Sequence, residues 1–384
     1  MKILITTPVW PPEIGGPATY TKELAQKLKN QHQITVAAFA DKPEIIEGIH
    51  LTATSKRRPL FIRQIIYLKT ILALGKKSDL IYTQNAMAAG VPSVIVSKLL
   101  GKPLILKFVG DSAWESAFRS GKTKKLLDDF LHKPDGGFKN NVRMLFQKLT
   151  LQNADKIVVP SDYLGRVLSS YYNIQPDKII TIYNAAESIP YNPDENITPA
   201  PNQIITVARL VPWKGVDGII QATKILKEKI TNIKLVIAGD GPEMPHLKQL
   251  VELFSIEKNV VFLGNISKKE TANWRRASSV FVLNSLYEGL PHTVLSSFAV
   301  GIPVVATNIS GTNEAVYNER TGLTVPPNNP QAIADAVVRL LFDQNLRSRL
   351  INNASQLLKE KFSWEAHLNL LNNLFESLIS KPFN

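Results

Sequence analysis

VFVLNSLYEGLPHTVLSSFAVG, residues 280–301, is the stretch on which the reading of this chain turns. It opens on a short apolar run, 280–283, that reads as a buried strand. Polar, glycine and proline residues break the pattern through 284–291. An apolar-periodic segment follows from about His292 to Val300, and Gly301 is placed to end a helix. Where a strand end runs into a helix start, backbone N–H groups and the positive end of the helix dipole can hold a phosphate. Glu288 lies in this loop without a cationic residue close to it in sequence, so it is not read as an ion-pair partner. A carboxylate that only complements the helix dipole is the alternative.

Outward from this stretch the same pattern repeats. Strand-like runs fall at 203–208, 234–238, 260–263, 280–283 and 303–306, each separated by a helical segment or a turn. In the first half they fall at 34–40, 49–53, 80–83, 104–109, 156–159 and 179–183, after an opening strand KILITTPVW and a helix from about Pro17 to Asn30. Such alternation predicts two doubly wound, mostly parallel sheets, and ligands of such sheets sit outside the carboxyl ends of the strands. Proline and asparagine concentrate at 188–202, which reads as the linker. Residues 115–150 are polar and irregular at Ser120–Lys125 and Lys133–Asn140, and look like an excursion over the acceptor side rather than core. Residues 364–378 read as a final amphipathic helix, long enough to return to the first domain.

With 384 residues the chain exceeds one comfortable core. No apolar run approaches the roughly 20 residues that span a bilayer, and the first residues go straight into a strand pattern, so a cytoplasmic protein is expected. The absence of cysteine excludes disulfides, thiolate nucleophiles and thiolate metal sites. The net charge of +13 is uneven: up to Pro190 there are 26 Lys and Arg against 15 Asp and Glu, or +11, and beyond it 19 against 17, or +2. The basic half is suited to an anionic partner such as a membrane surface or a phosphorylated acceptor; solvated basic faces are the plainer reading. Nucleic acid is not expected, because no base-reading module accompanies the charge. SKRRPLFIRQIIYLKTILALGKK, residues 55–77, is read first as an amphipathic crossover helix, with an anionic membrane as its second possible neighbour.

Four loops of the second half stand at strand ends: ARLVPWKG with Arg209 and Lys214, GDGP with Gly239 and Asp240, GNI with Gly264 and Ile266, and the Glu288 loop. Arg209 can fork two phosphate oxygens and Lys214 supplies a compact charge. Together with glycine-rich turns and a helix start they describe a diphosphate site.

VARLVPWKGVDGIIQA, LVIAGDGPE, VVFLGNI, the 280–307 segment, GTNEAV and TGLTVPPNNPQAIADAV closely resemble, in order and spacing, the retaining glycosyltransferases of family 4. GGPATY, FVGDSAWE, ADKIVVPSDYL and IYNAAE extend the resemblance over the first half. It implies an α/β chain of GT-B architecture, two Rossmann-like domains facing across a cleft: an acceptor domain, 1–187 with the returning helix 364–384, and a nucleotide-sugar donor domain, 188–363. It further implies metal-independent transfer of a sugar, with retention, from a nucleotide diphosphate sugar to a glycan or lipid-linked acceptor, without a cofactor. On that resemblance Arg209 and Lys214 hold the leaving diphosphate, and Glu288 meets the donor sugar. Gly16 approaches the phosphates from the first domain, and Gly289, Leu290, Pro291, His292 and Thr293 bind sugar and phosphate. His292 as a plain surface histidine stays open, and so does Asp111, which falls near the sugar or else caps a loop.

One departure stands out. The family's second glutamate, which binds both ribose hydroxyls, would fall on Ser296. Replacing a bidentate, charge-assisted contact by one hydroxyl costs about 1.5–3 kcal/mol of donor binding, unless Ser297 or a water compensates. A GT-B nucleotide-sugar epimerase, and a non-catalytic sugar-nucleotide or glycan-binding protein, therefore remain as alternatives.

Overall fold

The computed structural model describes residues 1–13, 16–186, 197 and 199–379. Most of the expected linker, and Gly15, lie outside the described residues. The chain divides into two compact units, Met1–Ile182 with the chain from Leu368 onward, and Tyr183–His367.

The first unit runs β1 (Lys2–Thr7), α1 (Gly16–Leu28), β2 (Gln33–Phe39), β3 (His50–Thr54), α2 (Leu60–Gly75), β4 (Leu80–Thr83), α3 (Gly90–Leu100), β5 (Leu104–Lys107), α4 (Ser112–Arg119), α5 (Leu127–His132), α6 (Phe138–Gln152), β6 (Lys156–Val159), α7 (Asp162–Tyr172) and β7 (Ile179–Thr181). Its sheet is parallel, in the order β3-β2-β1-β4-β5-β6-β7. Right-handed crossovers place α1 on one face and α2, α3 and α6 on the other. The segment 55–77 accordingly forms the crossover between β3 and β4.

Residues 120–126 and 133–137 are irregular, as expected, but the rest of 115–150 corrects the expectation of an excursion outside the core. Most of the segment is helical, and Ala117, Leu127, Phe130 and Leu131 are buried. The apolar positions of this segment are too sparse to show a period, because Asn140, Gln147 and Thr150 also face inward.

The second unit runs β8 (Gln203–Val207), α8 (Val216–Lys229), β9 (Lys234–Ala238), α9 (Met244–Leu253), β10 (Val260–Gly264), α10 (Lys268–Arg276), β11 (Val280–Leu283), α11 (His292–Ala299), β12 (Val304–Thr307), β13 (Leu323–Val325), α12 (Pro330–Phe342) and α13 (Gln344–Lys361). Its parallel sheet has the order β10-β9-β8-β11-β12-β13. Side chains alternate across it. Ile204, Val280, Val282 and Val305 pack with α8 and α12, while Ile205, Phe281, Leu283 and Val304 pack with α11. That is the period of two a doubly covered sheet requires, and it makes these strands apolar throughout. β13 is missing from the sequence reading; three residues in a Gly- and Pro-flanked segment give no periodic signal.

The last helix, α14 (Trp364–Ile379), buries Leu371, Leu374 and Phe375, and Phe375 stands edge-on to Tyr82 of β4 with ring centroids 5.6 Å apart. Among the described residues no helix is long and apolar enough to cross a membrane.

Candidate functional site

The order of the second sheet sets the place of its site. From β8 the chain winds outward through β9 and β10, then returns to lay β11 on the other side of β8. A crevice opens outside the carboxyl ends of the strands at such a reversal. The loop after β8 carries Arg209 and Lys214, and the loop after β11 carries Glu288.

These two loops are joined. A 3-10 turn at Pro212–Lys214 ends on Gly215, whose φ of 59° is left-handed. A Cβ on Gly215 would lie 2.3 Å from the Asn284 carbonyl oxygen, so only glycine lets the loops approach this closely. The Asn284 amide donates to the Gly215 carbonyl at 2.7 Å, and the Leu286 N–H donates to the Trp213 carbonyl at 2.7 Å. Lys214 is thereby brought to Glu288, with Nζ 2.5 Å from Oε1 and the side chains 19% and 10% exposed. This corrects the reading of Glu288 as lacking a cationic neighbour. Its partner is 74 residues away in sequence and adjacent only through the sheet order.

Two residues absent from the sequence reading support the carboxylate. Ser285 donates its hydroxyl to Glu288 Oε1 at 2.7 Å, and Thr307 at the end of β12 donates to the Ser285 carbonyl at 2.5 Å. Gly311 lies against the same loop, where a Cβ would fall 1.9 Å from the Glu288 carbonyl oxygen.

Arg209 is exposed, with its guanidinium carbon 5.3 Å from the centroid of the Trp213 ring, a contact that orients the fork. The turn with Gly239 and Gly241 packs under this loop. Cβ atoms there would meet the carbonyls of Ala208 at 1.9 Å and Leu210 at 2.2 Å. The Leu210 N–H donates to the Asp240 carbonyl, and the Gly239 N–H to the Gly264 carbonyl at 2.8 Å. Gly264 itself takes φ 66° with open space around it, and Ile266 is half-buried.

Beyond Glu288 and Gly289, Leu290 turns inward against Val294 and Phe298, which fixes the entry to α11. Pro291 is the N-cap, so the N–H groups of His292 and Thr293 stand in the first turn. His292 is exposed, and its Nε2 lies 2.8 Å from the Asn184 amide nitrogen. Ser296 follows one turn later on the same side. Ser297, considered as a substitute for the missing glutamate, is fully buried and donates its hydroxyl to the Thr293 carbonyl at 2.7 Å. It is committed to the helix.

Gly16 and Asp111 belong to the first unit. Gly16 opens α1, and nothing lies within 4 Å of a Cβ built there. Asp111 is fully buried. Its Oδ1 accepts from the N–H groups of Ala113 and Trp114 at 2.9 and 2.8 Å, capping α4. Oδ2 accepts from Gln147 at 2.8 Å and from the Tyr172 hydroxyl. Burial holds its carboxyl above the usual carboxylate range, against the opposing pull of these hydrogen bonds. Asp111 is thus a helix cap with both oxygens engaged.

The first unit also has an open cavity of about 480 Å³ at the carboxyl ends of β4 and β5, lined by Asn85, Met87, Ser112, Glu115, Arg119 and Arg143 among others. Arg119 and Arg143 carry no motif that would single them out in sequence. Among the described residues no group of three or more His, Cys, Asp or Glu side chains is suited to a metal ion.

The family described as glycosyl transferases group 1 matches residues 190–357, and that described as glycosyltransferase family 4 matches residues 14–187. The chain belongs to the family 4 glycosyltransferases. This glycosyltransferase is 27% identical to an uncharacterised glycosyltransferase of Methanocaldococcus jannaschii over 95% of each chain. It is 28% identical to the UDP-Gal:alpha-D-GlcNAc-diphosphoundecaprenol alpha-1,3-galactosyltransferase of Escherichia coli, over 74% of this chain and 75% of that one. Among solved structures it is similar to Anabaena HepE in complex with UDP and glucose, with a TM-score of 0.75, 18% identity and coverage of 98% and 100% of the two chains. Its fold is therefore GT-B, built of two Rossmann-like domains.

Proposed function

We propose that this glycosyltransferase moves a hexose-type sugar, with retention and without a metal ion, from a nucleoside diphosphate sugar to a glycan or lipid-linked acceptor in glycan or cell-envelope polysaccharide biosynthesis. The observation that carries the reading is the Lys214–Glu288 pair beside the exposed Arg209, at the switch point of the second sheet. The bond from the anomeric carbon to the diphosphate oxygen breaks while the bond to the acceptor oxygen forms, and the acceptor's proton passes to an oxygen of the departing diphosphate. Negative charge collects on the departing diphosphate, and Arg209 and Lys214 meet it with fixed positive charge. Glu288 receives Lys214 and Ser285 on Oε1, which leaves Oε2 for a sugar hydroxyl. Gly239, Gly264 and Ile266 border the nucleotide side, and residues 289–293 the sugar side. The Escherichia coli relative's name specifies UDP-Gal as donor and a diphosphate-linked lipid as acceptor, which supports this class for both substrates.

Ser296 favours a second reading, a protein that binds sugar nucleotides without transferring the sugar; an epimerase acting on the donor alone is the third. All act at a cytoplasmic location, and the basic first unit suits peripheral contact with an anionic membrane face.

Calorimetric titration with UDP, GDP and ADP tests the diphosphate site. One of them binds the wild type, and Arg209→Ala weakens that binding about ten- to hundredfold, the value of a charge-assisted contact, with the fold unchanged. Equal affinity in the variant removes Arg209 from the site. Transfer of labelled sugar only when acceptor is present separates the transferase from both alternatives.

A further inference from the structure

We infer that α2, α3 and α6 of the first unit form a docking face for an anionic lipid bilayer. The inference deepens the lipid-side reading of the acceptor and rests on that reading for its purpose, though not for the binding itself.

Among the described residues, large apolar side chains are exposed chiefly on these three helices. They come in pairs one helical turn apart: Phe61 and Ile65 on α2, 76% and 39% exposed; Ile95 and Leu99 on α3, 43% and 68%; Leu145 and Leu149 on α6, 55% and 46%. A pair at i and i+4 marks one side of a helix. The helices are neighbours, α2 against α3 and α3 against α6, all on the same face of the sheet. Their opposite sides hold the core, through Tyr67 and Ile71, Val96, and Leu151. The outer sides are therefore a second apolar surface that the fold leaves in water, and a patch spread over three helices marks an interaction site.

Charge selects the partner. None of the three helices contains an Asp or Glu, while they carry Arg63, Lys69, Lys98, Lys139, Arg143 and Lys148. A second copy of this chain docked face to face would set these cations against their own kind, and like charges across an interface are unfavourable. A nucleic acid would match the charge but gives isoleucine and leucine nothing to bury against. An anionic bilayer satisfies both features, with apolar side chains entering the acyl boundary and cations at the headgroups.

The test is co-sedimentation of the full chain with phosphatidylcholine vesicles, with and without phosphatidylglycerol, over a range of salt. Neither nucleotide nor acceptor is present, so the outcome is independent of the donor site and of transfer. The wild type binds the phosphatidylglycerol vesicles and is released as salt rises. Lys98→Glu with Lys139→Glu weakens binding by about thirtyfold or more at low salt, from about 1 kcal/mol for each of the two cations near the surface. Phe61→Ser with Leu145→Ser lowers the binding that persists at higher salt. All four side chains are exposed, and a melting curve checks each fold. Equal binding to both vesicle types, indifference of binding to both pairs of changes, or a wild-type dimer that Phe61→Ser with Leu145→Ser dissociates overturns the inference.

Discussion

Lys214 and Glu288 hold each other where neither side chain is more than one-fifth exposed, and this ties the charge proposed to meet the diphosphate to stability. Removing one member of such a pair strands the other, at about 3 kcal/mol or more. Lys214→Ala is expected to lower the unfolding free energy by about that amount, because Ser285 alone remains to satisfy the carboxylate. Lys214→Ala with Glu288→Ala is expected to recover part of the loss. Urea unfolding of the two single variants and the double variant measures it; strictly additive effects show that the pair is not coupled. At this scale the sequence was legible in residue type and loop position, but not in pairing. Arg209, Lys214 and Glu288 stand out as charges at strand ends, yet nothing local tells that Lys214 reaches Glu288. Asp111 shows the same limit: FVGDSAWE allows a cap, which Ala113 and Trp114 form locally, but nothing local tells that Gln147 and Tyr172, 36 and 61 residues away, engage its second oxygen.

Loops at the carboxyl ends of β8, β11 and β12 hold their shape through glycines placed against carbonyl groups. Gly311 has no hydrogen-bonding side chain to offer, but a methyl group there would sit 1.9 Å from the Glu288 carbonyl and 2.9 Å from that of Gly289. Gly311→Ala is expected to push the Glu288 loop away from Lys214, weakening nucleoside diphosphate binding about tenfold, as if one charge-assisted contact were lost. Unchanged binding in calorimetry would show that the loop shifts without moving the carboxylate. The elements themselves were largely readable. The strands at 80–83, 156–159, 234–238 and 280–283 fall on the same residues in sequence and structure, because strands covered on both faces are short, continuous apolar runs. α6 was not readable as a core helix, since its inner side mixes Gln147, Asn140 and Thr150 with Leu151 and its outer side carries Leu145 and Leu149. An inverted pattern of this kind disguises a helix in sequence, and it is also what distinguishes the proposed lipid face.

At the scale of the whole chain, two sheets of the same winding are proposed to have different tasks, and the charge follows the division, +11 up to Pro190 and +2 beyond it. The second unit has the switch-point loops with paired charge; the first has the basic, apolar helix layer. Each has its own internal contacts, so a ligand of one is expected to protect that unit's backbone first. Hydrogen–deuterium exchange of the full chain reads both in one molecule. A nucleoside diphosphate at a hundredfold excess over its Kd adds about 2.7 kcal/mol to openings that abolish binding. Exchange should slow in residues 208–216 and 284–293, whose loops otherwise open more readily than the strands beneath them. Phosphatidylglycerol-containing vesicles, added instead, should slow exchange in α2, α3 and α6 and leave 208–216 unchanged. Nucleotide protection confined to Met1–Ile182 would relocate the donor site, and vesicle protection outside those three helices would relocate the docking face. Because the two patterns share no segment, either assignment can fail while the other stands.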